Sequence, residues 1–375
     1  MSAVRAFAPG RTELAGNHTD HQGGRVVAAA VDCGVEIVLA RRASSVARLE
    51  SEGFAPVEID VGDLAARADE RNTTAALVRG VIAGLGAAGV DPFGFEASAK
   101  STVPGGSGLS SSAAFELALA SALLAQAGVV LGPVQLARIG QAAERDYFGK
   151  PCGLMDQLAV ALGGVAAIDF SNEDEPAVER ISFDLESMGY ALCLIDTHCD
   201  HSLYTDEYAQ VALDMFAVAR FFGAGRLCQV PESAFFDRLE DVRSALGDVP
   251  ALRALHYYQE NKLVDKRAEA LRSGDFPAFL EYARRSAASS AAYLQNVSTA
   301  DRKSQPAMVV LALADALLEG EGAVRIHGGG FGGTVQAFVP RDRLGHFTRC
   351  IDGHLGEGSC KAYGIFGKGA QAQCL

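Results

Sequence analysis

The chain has 375 residues, of which 49% are hydrophobic and 21% are charged. This composition suits a folded protein of two domains, because enough apolar surface is available to offset the entropy lost on folding. Acidic residues outnumber basic ones by 46 to 33, and the basic residues form no cluster, so a nucleic-acid partner is not expected.

Residues 1–10 lack the basic and then apolar pattern of a secretory signal. No apolar run approaches the roughly 20 residues that a membrane span requires. We therefore expect a cytoplasmic protein with no membrane partner, and we expect it to be a monomer.

The first predicted elements are strands and helices in alternation. Residues 25–42 are rich in β-branched side chains and predict paired strands after a glycine turn. Residues 110–128 begin with serines and continue with alanine and leucine, which indicates a capped helix whose N-terminus can bind anions. Residues 133–146 predict another helix, and residues 165–170, 179–185 and 190–197 predict strands, the last of them buried.

Beyond Asp196 the pattern becomes mainly helical, with helices predicted over residues 206–223, 233–246, 251–273 and 277–294. A glycine-rich strand region near Gly328 and a final helix and strand follow. The change in character predicts an α+β protein of two lobes, residues 1–185 and 186–375.

A glycine- and serine-rich segment, VPGGSGLSSSAA at residues 103–114, comes immediately before a predicted helix. Glycines let the backbone approach phosphate oxygens, and the helix start offers free N–H groups. The simpler alternative is a turn with a serine N-cap. The standard phosphate loop does not match because no lysine follows the glycines, and the protein-kinase pattern fails at Pro151, where its metal-binding asparagine would stand.

Polar residues are concentrated between Pro9 and Gly24, in the sequence PGRTELAGNHTDHQGG. Such a loop-like stretch suits hydrogen bonds to a polyhydroxylated ligand, although it could also be a solvated surface loop. His18 and His21 could instead bind a metal, but no helical pair of histidines supports that interpretation.

Gly328, Gly330 and Gly333 satisfy the spacing G-x-G-x-x-G of dinucleotide-binding loops. A strand rather than a helix follows them, so the dinucleotide interpretation is rejected. We expect this segment to form a backbone wall beside bound substrates, or simply a hairpin turn.

Together these segments resemble the GHMP kinase superfamily and, within it, the galactokinase family, from Pro9 to about Val339. The sugar signature of that family, G-R-x-N-x-x-G-E-H-x-D-Y, is matched at Gly10, Arg11, Gly16, His18 and Asp20. Its phosphate motif is matched at Pro104 and from Gly108 to Ala113, and its third motif from Gly328 to Gly333. Residues 149–157, GKPCGLMDQ, are similar to the stretch that carries the catalytic aspartate, and residues 201–208, HSLYTDEY, to the stretch that carries a sugar-contacting tyrosine.

The resemblance implies a two-lobed GHMP kinase fold, with an N-terminal lobe like domain 2 of ribosomal protein S5 and a helix-rich C-terminal lobe. It implies phosphorylation of the C1 hydroxyl of galactose by MgATP. Asp156 would remove the hydroxyl proton, and Arg11 would keep that carboxylate ionised. Ser112 and Glu144 would bind Mg²⁺.

The other implied contacts fall into two sets. The sugar would be bound by Glu13, Asn17, His18, Asp20, Gly153 and Tyr208. ATP would be bound by Gly105, Gly106, Ser107, Gly108, Leu109, Ser110, Ser111 and Ser112. A helix-cap role for Asp156 and an exposed helix position for Glu144 are the plainer alternatives.

Two departures from the family pattern concern the sugar. The family has asparagine and then glutamate where this chain has Glu13 and then Asn17, and His21 replaces a tyrosine. We expect the exchange to be compensatory, with both side chains within hydrogen-bond reach. Otherwise a kinase for a relative altered at C6, such as galacturonate, is favoured.

Two further alternatives remain open. The first is a non-catalytic sugar sensor, although such proteins can lack the Ser-Ala step that is present here at Ser112 and Ala113. The second is a superfamily kinase for mevalonate or homoserine, although His18 and Asp20 match the signature of the sugar branch.

Overall fold

The structure is a computed structural model that describes residues 3–150, 152–172, 174–199, 204–331 and 333–375. The first part of the chain forms β1 (Val4–Ala15), β2 (Arg25–Arg41), β3 (Val46–Ser51), β4 (Val57–Asp60), α1 (Thr74–Ala87), β5 (Phe95–Ser101), α2 (Ser111–Ala127), α3 (Pro133–Ala142), α4 (Met155–Leu162), β6 (Val165–Asp169) and β7 (Ala177–Ile181). Helix α3 continues into a π-helical turn, Ala143–Phe148.

The remainder of the chain forms β8 (Tyr190–Asp196), α5 (Thr205–Phe221), α6 (Glu232–Asp237), α7 (Leu239–Leu246), α8 (Asp248–Ser273), α9 (Phe276–Ser289), α10 (Pro306–Leu318), β9 (Ala323–His327), β10 (Thr334–Pro340), α11 (Leu344–Leu355), β11 (Cys360–Tyr363) and β12 (Gln371–Cys374). Within the described ranges, none of the helices has the length and the apolar character needed to cross a membrane.

The first sheet has the strand order β12-β1-β2-β5-β3-β4, with β6 paired to β2 and β7 paired to β6. Strand β2 pairs with β1 along most of its length, with β6 near its start and with β5 near its end. The predicted pair of strands over residues 25–42 is therefore wrong. A register shift between Pro9 and Gly10 of β1 accommodates β2 as one long bent strand, so no turn is needed.

The second sheet has the order β11-β8-β10-β9, and all of its neighbours are antiparallel. One buried cluster joins the two sheets, because it combines Leu14 and Val27 of the first with Leu194 and Phe338 of the second. The chain passes from one sheet to the other between Ile181 and Tyr190, and β12 returns to pair with β1. The division into residues 1–185 and 186–375 remains a prediction.

Several predicted elements are confirmed. The helix predicted at residues 110–128 is α2, the helices predicted at 251–273 and 277–294 correspond to α8 and α9, and the three predicted strands are β6, β7 and β8. The prediction of a loop-like stretch after Pro9 is wrong for its first part, because β1 continues to Ala15 and pairs with β2. Buried neighbours on both sides hold these polar residues in extended backbone.

Candidate active site

Arg11 on β1 and Asp156 in the first turn of α4 form the centre of the site. The Nε and Nη2 atoms of Arg11 lie 2.8 and 2.7 Å from Oδ1 of Asp156. The hydroxyl of Ser110 donates to Oδ2 of the same carboxylate at 2.5 Å. Burial alone would raise the pKa of Asp156, but Arg11 and Ser110 outweigh it and hold this pKa below its ordinary value. Asp156 is therefore a half-buried carboxylate that stays ionised.

The phosphate-loop candidate, residues 103–110, connects β5 to α2 beside this pair. The backbone N–H of Arg11 donates to the carbonyl of Leu109 at 3.1 Å, and the Arg11 guanidinium donates to the carbonyl of Gly108. A Cβ atom on Gly105 or Gly106 would meet no atom within 4 Å, so this part of the loop faces open space. Since the first N–H groups of α2 lie at the end of the loop, an anion bound there would meet a positive helix end.

Ser112, in the first turn of α2, contacts Glu144. Glu144 is buried in the π-helical turn, and its Oε1 accepts from the Ser112 hydroxyl at 2.8 Å and from the Lys150 ammonium at 2.9 Å. Because the side chain is buried, the exposed-carboxylate alternative for Glu144 is wrong. The paired oxygens, one anionic and one neutral, fit Mg²⁺, which takes its remaining ligands from phosphate and water.

A second buried carboxyl group lies behind Glu144. The amide of Gln157 donates to Oε2 of Glu144 at 2.7 Å and to Oε2 of Glu116 at 3.2 Å. Burial, and then the charge of Glu144, raise the pKa of Glu116 well above its usual value. Glu116 therefore holds its proton more tightly than an ordinary glutamate does.

Asp20 and Gly153 are in direct contact near Asp156. A Cβ atom on Gly153 would lie 2.1 Å from Oδ2 of Asp20, so a larger residue here would displace the Asp20 carboxyl group. Burial, and then the nearby charge of Asp156, raise the pKa of Asp20 to about 6. The two acids are therefore unlike at neutral pH, because Asp20 is close to its own titration and Asp156 is fully ionised.

His18 and Tyr208 form an aromatic edge of the site. Their ring centroids are 5.4 Å apart, and Nε2 of His18 lies 3.0 Å from the carbonyl oxygen of Gly329. Burial lowers the pKa of His18 to about 4, so this ring is neutral and donates through Nε2. Partial burial and the acids Asp20 and Asp156 raise the pKa of Tyr208 to about 12, which leaves its hydroxyl protonated.

Glu13 and Asn17 are buried beneath this edge. Oε1 of Glu13 binds the guanidinium of Arg325 at 2.6 Å, and the Asn17 amide donates to the carbonyl of Gly328 at 2.6 Å. The amide nitrogen of Asn17 lies 3.5 Å from Oε2 of Glu13, at the limit of hydrogen bonding. The two side chains are thus within hydrogen-bond reach of each other, as expected for a compensatory exchange. A sugar could contact either side chain only by replacing its bonds to Arg325 or to Gly328.

The metal interpretation of His18 and His21 gains no support. Their rings pack edge to face with centroids 5.6 Å apart. Within the part of the chain that the structure describes, no three His, Cys, Asp or Glu side chains form a metal-binding group. Pro151, residues 201–203 and Gly332, which belong to the predicted motifs, lie outside the described residues.

Comparison with known proteins finds relatives that all belong to one family. Residues 2–41 match the galactokinase galactose-binding signature, and residues 76–164 match the GHMP kinases N-terminal domain. A galactokinase of Streptomyces coelicolor is 33% identical over 366 residues, which cover 96% of this chain and 90% of that protein. A galactokinase of Actinobacillus pleuropneumoniae is 30% identical over 356 residues, covering 93% and 88%. This chain belongs to the galactokinase family of GHMP kinases.

Solved structures with a similar fold support this family assignment. The crystal structure of Lactococcus lactis galactokinase complexed with galactose matches with a TM-score of 0.83 and 25% identity, over 98% of this chain and 95% of that one. The mevalonate kinase of Methanococcus jannaschii shares the fold alone, with a TM-score of 0.68 and 14% identity over 97% and 98% of the chains. The expected two-lobed GHMP kinase fold is confirmed, and the protein is a kinase that phosphorylates an alcohol group.

Four buried or partly buried residues of this galactokinase family member were not predicted from the sequence: Lys150, Gln157, Arg325 and His327. Gln157 directly follows Asp156, and its neighbourhood in the sequence could have indicated it. Lys150 lies six residues after Glu144, across a π-helical turn that no sequence pattern predicted. Arg325 and His327 lie on β9 of the second sheet and bond to residues on β1 of the first sheet. Only the tertiary structure therefore identifies their partners.

Proposed function

We propose that this protein transfers the γ-phosphoryl group of ATP to the C1 hydroxyl of galactose, giving galactose 1-phosphate and ADP. The observation that carries the proposal is the ionised Asp156 carboxylate, which Arg11 and Ser110 hold between the phosphate loop and the sugar signature. The galactose in the similar Lactococcus lactis structure supports the choice of sugar.

In this mechanism Asp156 takes the proton of the C1 hydroxyl as the sugar oxygen attacks the γ-phosphorus. The new oxygen–phosphorus bond forms while the bond to the β–γ bridging oxygen breaks, and ADP leaves with that electron pair. Arg11 loses the charge of its partner when Asp156 is protonated. Its guanidinium is then available to neutralise charge on the phosphoryl group in flight.

ATP would be bound by the loop from Gly105 to Ser110, together with Ser111 and Ser112 at the start of α2. Backbone N–H groups and hydroxyls supply its contacts there. Ser112 and Glu144 would hold Mg²⁺, which supplies positive charge to the β- and γ-phosphates.

His18, Asp20, Gly153 and Tyr208 would contact the sugar. Asp20, with a pKa of about 6, can accept a sugar hydroxyl proton in a hydrogen bond when ionised. Glu13 and Asn17 are assigned to the sugar site as well, where their buried hydrogen bonds would hold the loop that carries His18 and Asp20. We extend the proposal to a cytoplasmic monomer with lobes at residues 1–185 and 186–375.

Galacturonate is the second candidate because Asn17 stands where the family pattern has glutamate. The charges around the pocket favour neutral galactose, since Asp20 and Asp156 are acidic and Arg11 and Arg325 are both paired. A uronate carboxylate would face acids without a free partner there.

The test is ADP release by the purified protein with galactose, galacturonate, glucose or N-acetylgalactosamine. We expect galactose to give the highest kcat/KM, and the product to carry its phosphate on C1 by ³¹P and ¹³C NMR. Asp156→Asn protein and a reaction without sugar are the controls. A preference for galacturonate would change the substrate but keep the kinase, whereas sugar binding without ADP release would indicate a sensor.

A further inference from the structure

His327, the last residue of β9, is buried beside the site but has no part in the mechanism above. Only 3% of it is exposed, and its Nε2 atom lies 2.9 Å from the hydroxyl of Thr12 on β1. Thr12 directly precedes Glu13 and follows Arg11 in the sequence. The imidazole therefore lies at the junction of the sugar signature and the third glycine motif.

The surrounding hydrogen bonds determine which ring nitrogen carries the proton. The side-chain nitrogen of Gln336 lies 3.0 Å from the carbonyl oxygen of Glu13, which can only accept, so this atom is the amide donor. The same nitrogen donates to the Thr12 hydroxyl at 2.8 Å. Among the described residues, Nε2 of His327 is the remaining hydrogen-bond partner of this hydroxyl, so we assign the hydroxyl hydrogen to Nε2 and the proton of the neutral ring to Nδ1.

The ring is neutral at physiological pH, because burial lowers the pKa of His327 to about 3. Among the described residues, none accepts a hydrogen bond from Nδ1. A buried N–H group without an acceptor is unfavourable, which makes an unpaired donor in this position uncommon. It therefore calls for a partner that the described residues do not supply.

The unpaired nitrogen faces the phosphate loop. A Cβ atom on Gly108 would lie 3.2 Å from Nδ1, and Gly108 has a φ of 66°, so both contact and backbone favour glycine. The carbonyl of Gly108 accepts from the Arg11 guanidinium, which places the donor next to the residues of phosphoryl transfer.

We propose that the Nδ1–H group of His327 is a hydrogen-bond donor for an anionic phosphate oxygen of the nucleotide seated against Gly108. This inference rests on the proposed kinase function and adds a binding residue to it. The chain Gln336, Thr12 and His327 fixes the direction of the donor before the nucleotide arrives. A donor held in this way needs no reorganisation, and a neutral ring adds no charge beside Arg11.

Two substitutions separate the two ring nitrogens. In His327→Asn the amide nitrogen takes the position of Nδ1, and in His327→Gln it takes the position of Nε2 and keeps only the Thr12 contact. We expect H327Q to raise the Kd for ADP about 10-fold, the usual effect of one hydrogen bond to a charged group, and H327N to keep most of the affinity. Titration calorimetry measures this, with exposed His354→Gln as the matched control and thermal melting as the check of folding.

Histidine-labelled ¹⁵N NMR tests the tautomer directly, with the His327 signals assigned by their loss in H327N. We expect a protonated Nδ1 in the free protein and a shift of its proton on addition of ADP, but not of galactose. A protonated Nε2, an unmoved Nδ1 proton, or equal weakening by H327N and H327Q would overturn the inference and leave a buried water as the partner. A wild-type protein that binds no nucleotide would instead contradict the proposed function.

Discussion

The Asp156 carboxylate is the group on which the chemistry depends. We expect Asp156→Asn to lower kcat by at least about 10²-fold, because the general base is lost while Arg11 and the loop remain. Galactose affinity should change little, since His18, Asp20 and Tyr208 are intact. Single-turnover kinetics and titration calorimetry measure the two effects. Near-normal turnover in this variant would remove Asp156 from the base role and leave positioning by Arg11 as the mechanism.

Glu144 and Lys150 are expected to act on the metal in opposite directions. Glu144→Ala removes the anionic ligand and should raise the Mg²⁺ concentration for half-maximal activity at least about 10-fold, with partial recovery in excess metal. Ser112→Ala should act in the same direction but more weakly. Lys150→Met is the matched control, because it removes a cation that competes at Oε1 of Glu144 and should lower the requirement. Unchanged metal titrations in all three variants would contradict the assignment.

The Asp20 carboxyl group should destabilise the ligand-free protein. Its pKa rises from 3.8 to about 6 on folding, so the folded state holds the proton more tightly. The resulting loss of stability grows between about pH 4 and pH 6 and persists above that range, reaching at most about 3 kcal/mol. Asp20→Asn should therefore be more stable than the wild type at pH 7.5 and equal to it below pH 4.

Urea unfolding without sugar measures this difference, and sugar affinity should fall in the same variant. An Asn variant that is less stable at pH 7.5 would show that the carboxylate instead stabilises the fold through its contact with Gly153.

At the level of strands and loops, the exchanged pair Glu13 and Asn17 connects β1 to β9. Glu13→Asn leaves Arg325 buried without its anion, and we expect it to lower the free energy of unfolding by about 3–5 kcal/mol. Asn17→Glu brings a second carboxylate toward Glu13. The double change Glu13→Asn with Asn17→Glu should be more active and more stable than either single variant, because a carboxylate stays near Arg325.

A double-mutant cycle on kcat/KM and on unfolding free energy measures this coupling. Additive effects would show that the two side chains act independently. Additive effects would also remove one reason to expect galactose rather than galacturonate as the substrate.

The elements that the sequence predicted well are those with local signals. Helix α2 begins after a serine cluster, and α8, α9 and β8 have clear periodicity, so their positions follow from neighbouring residues alone. The continuation of β1 through Arg11 and Glu13 was missed because its polar side chains are neutralised by partners such as Arg325 and Asp156. The motifs brought Arg11, Ser110 and Asp156 into one site, but the burial of Glu13 and Asn17 depends on β9, far along the chain.

The molecule as a whole should unfold as one unit. The site uses Arg11 on β1, Asp156 on α4, Tyr208 on α5 and Gly329 after β9, and a common buried cluster joins the sheets. Galactose at 100 times its Kd should stabilise the protein by about 2.7 kcal/mol and move a single calorimetric transition upward. Two transitions, of which galactose moves only one, would show that the lobes unfold separately.

The pairing of β12 with β1 also determines when the first sheet can finish folding during translation. Val4 pairs with Cys374, so the strand that carries Arg11 lacks its edge partner until residues 371–374 have left the ribosome. Until then the start of β1 presents unpaired N–H and C=O groups, which are a template for binding another strand. We expect the nascent chain to be a chaperone client, with activity appearing only after β12 has been released.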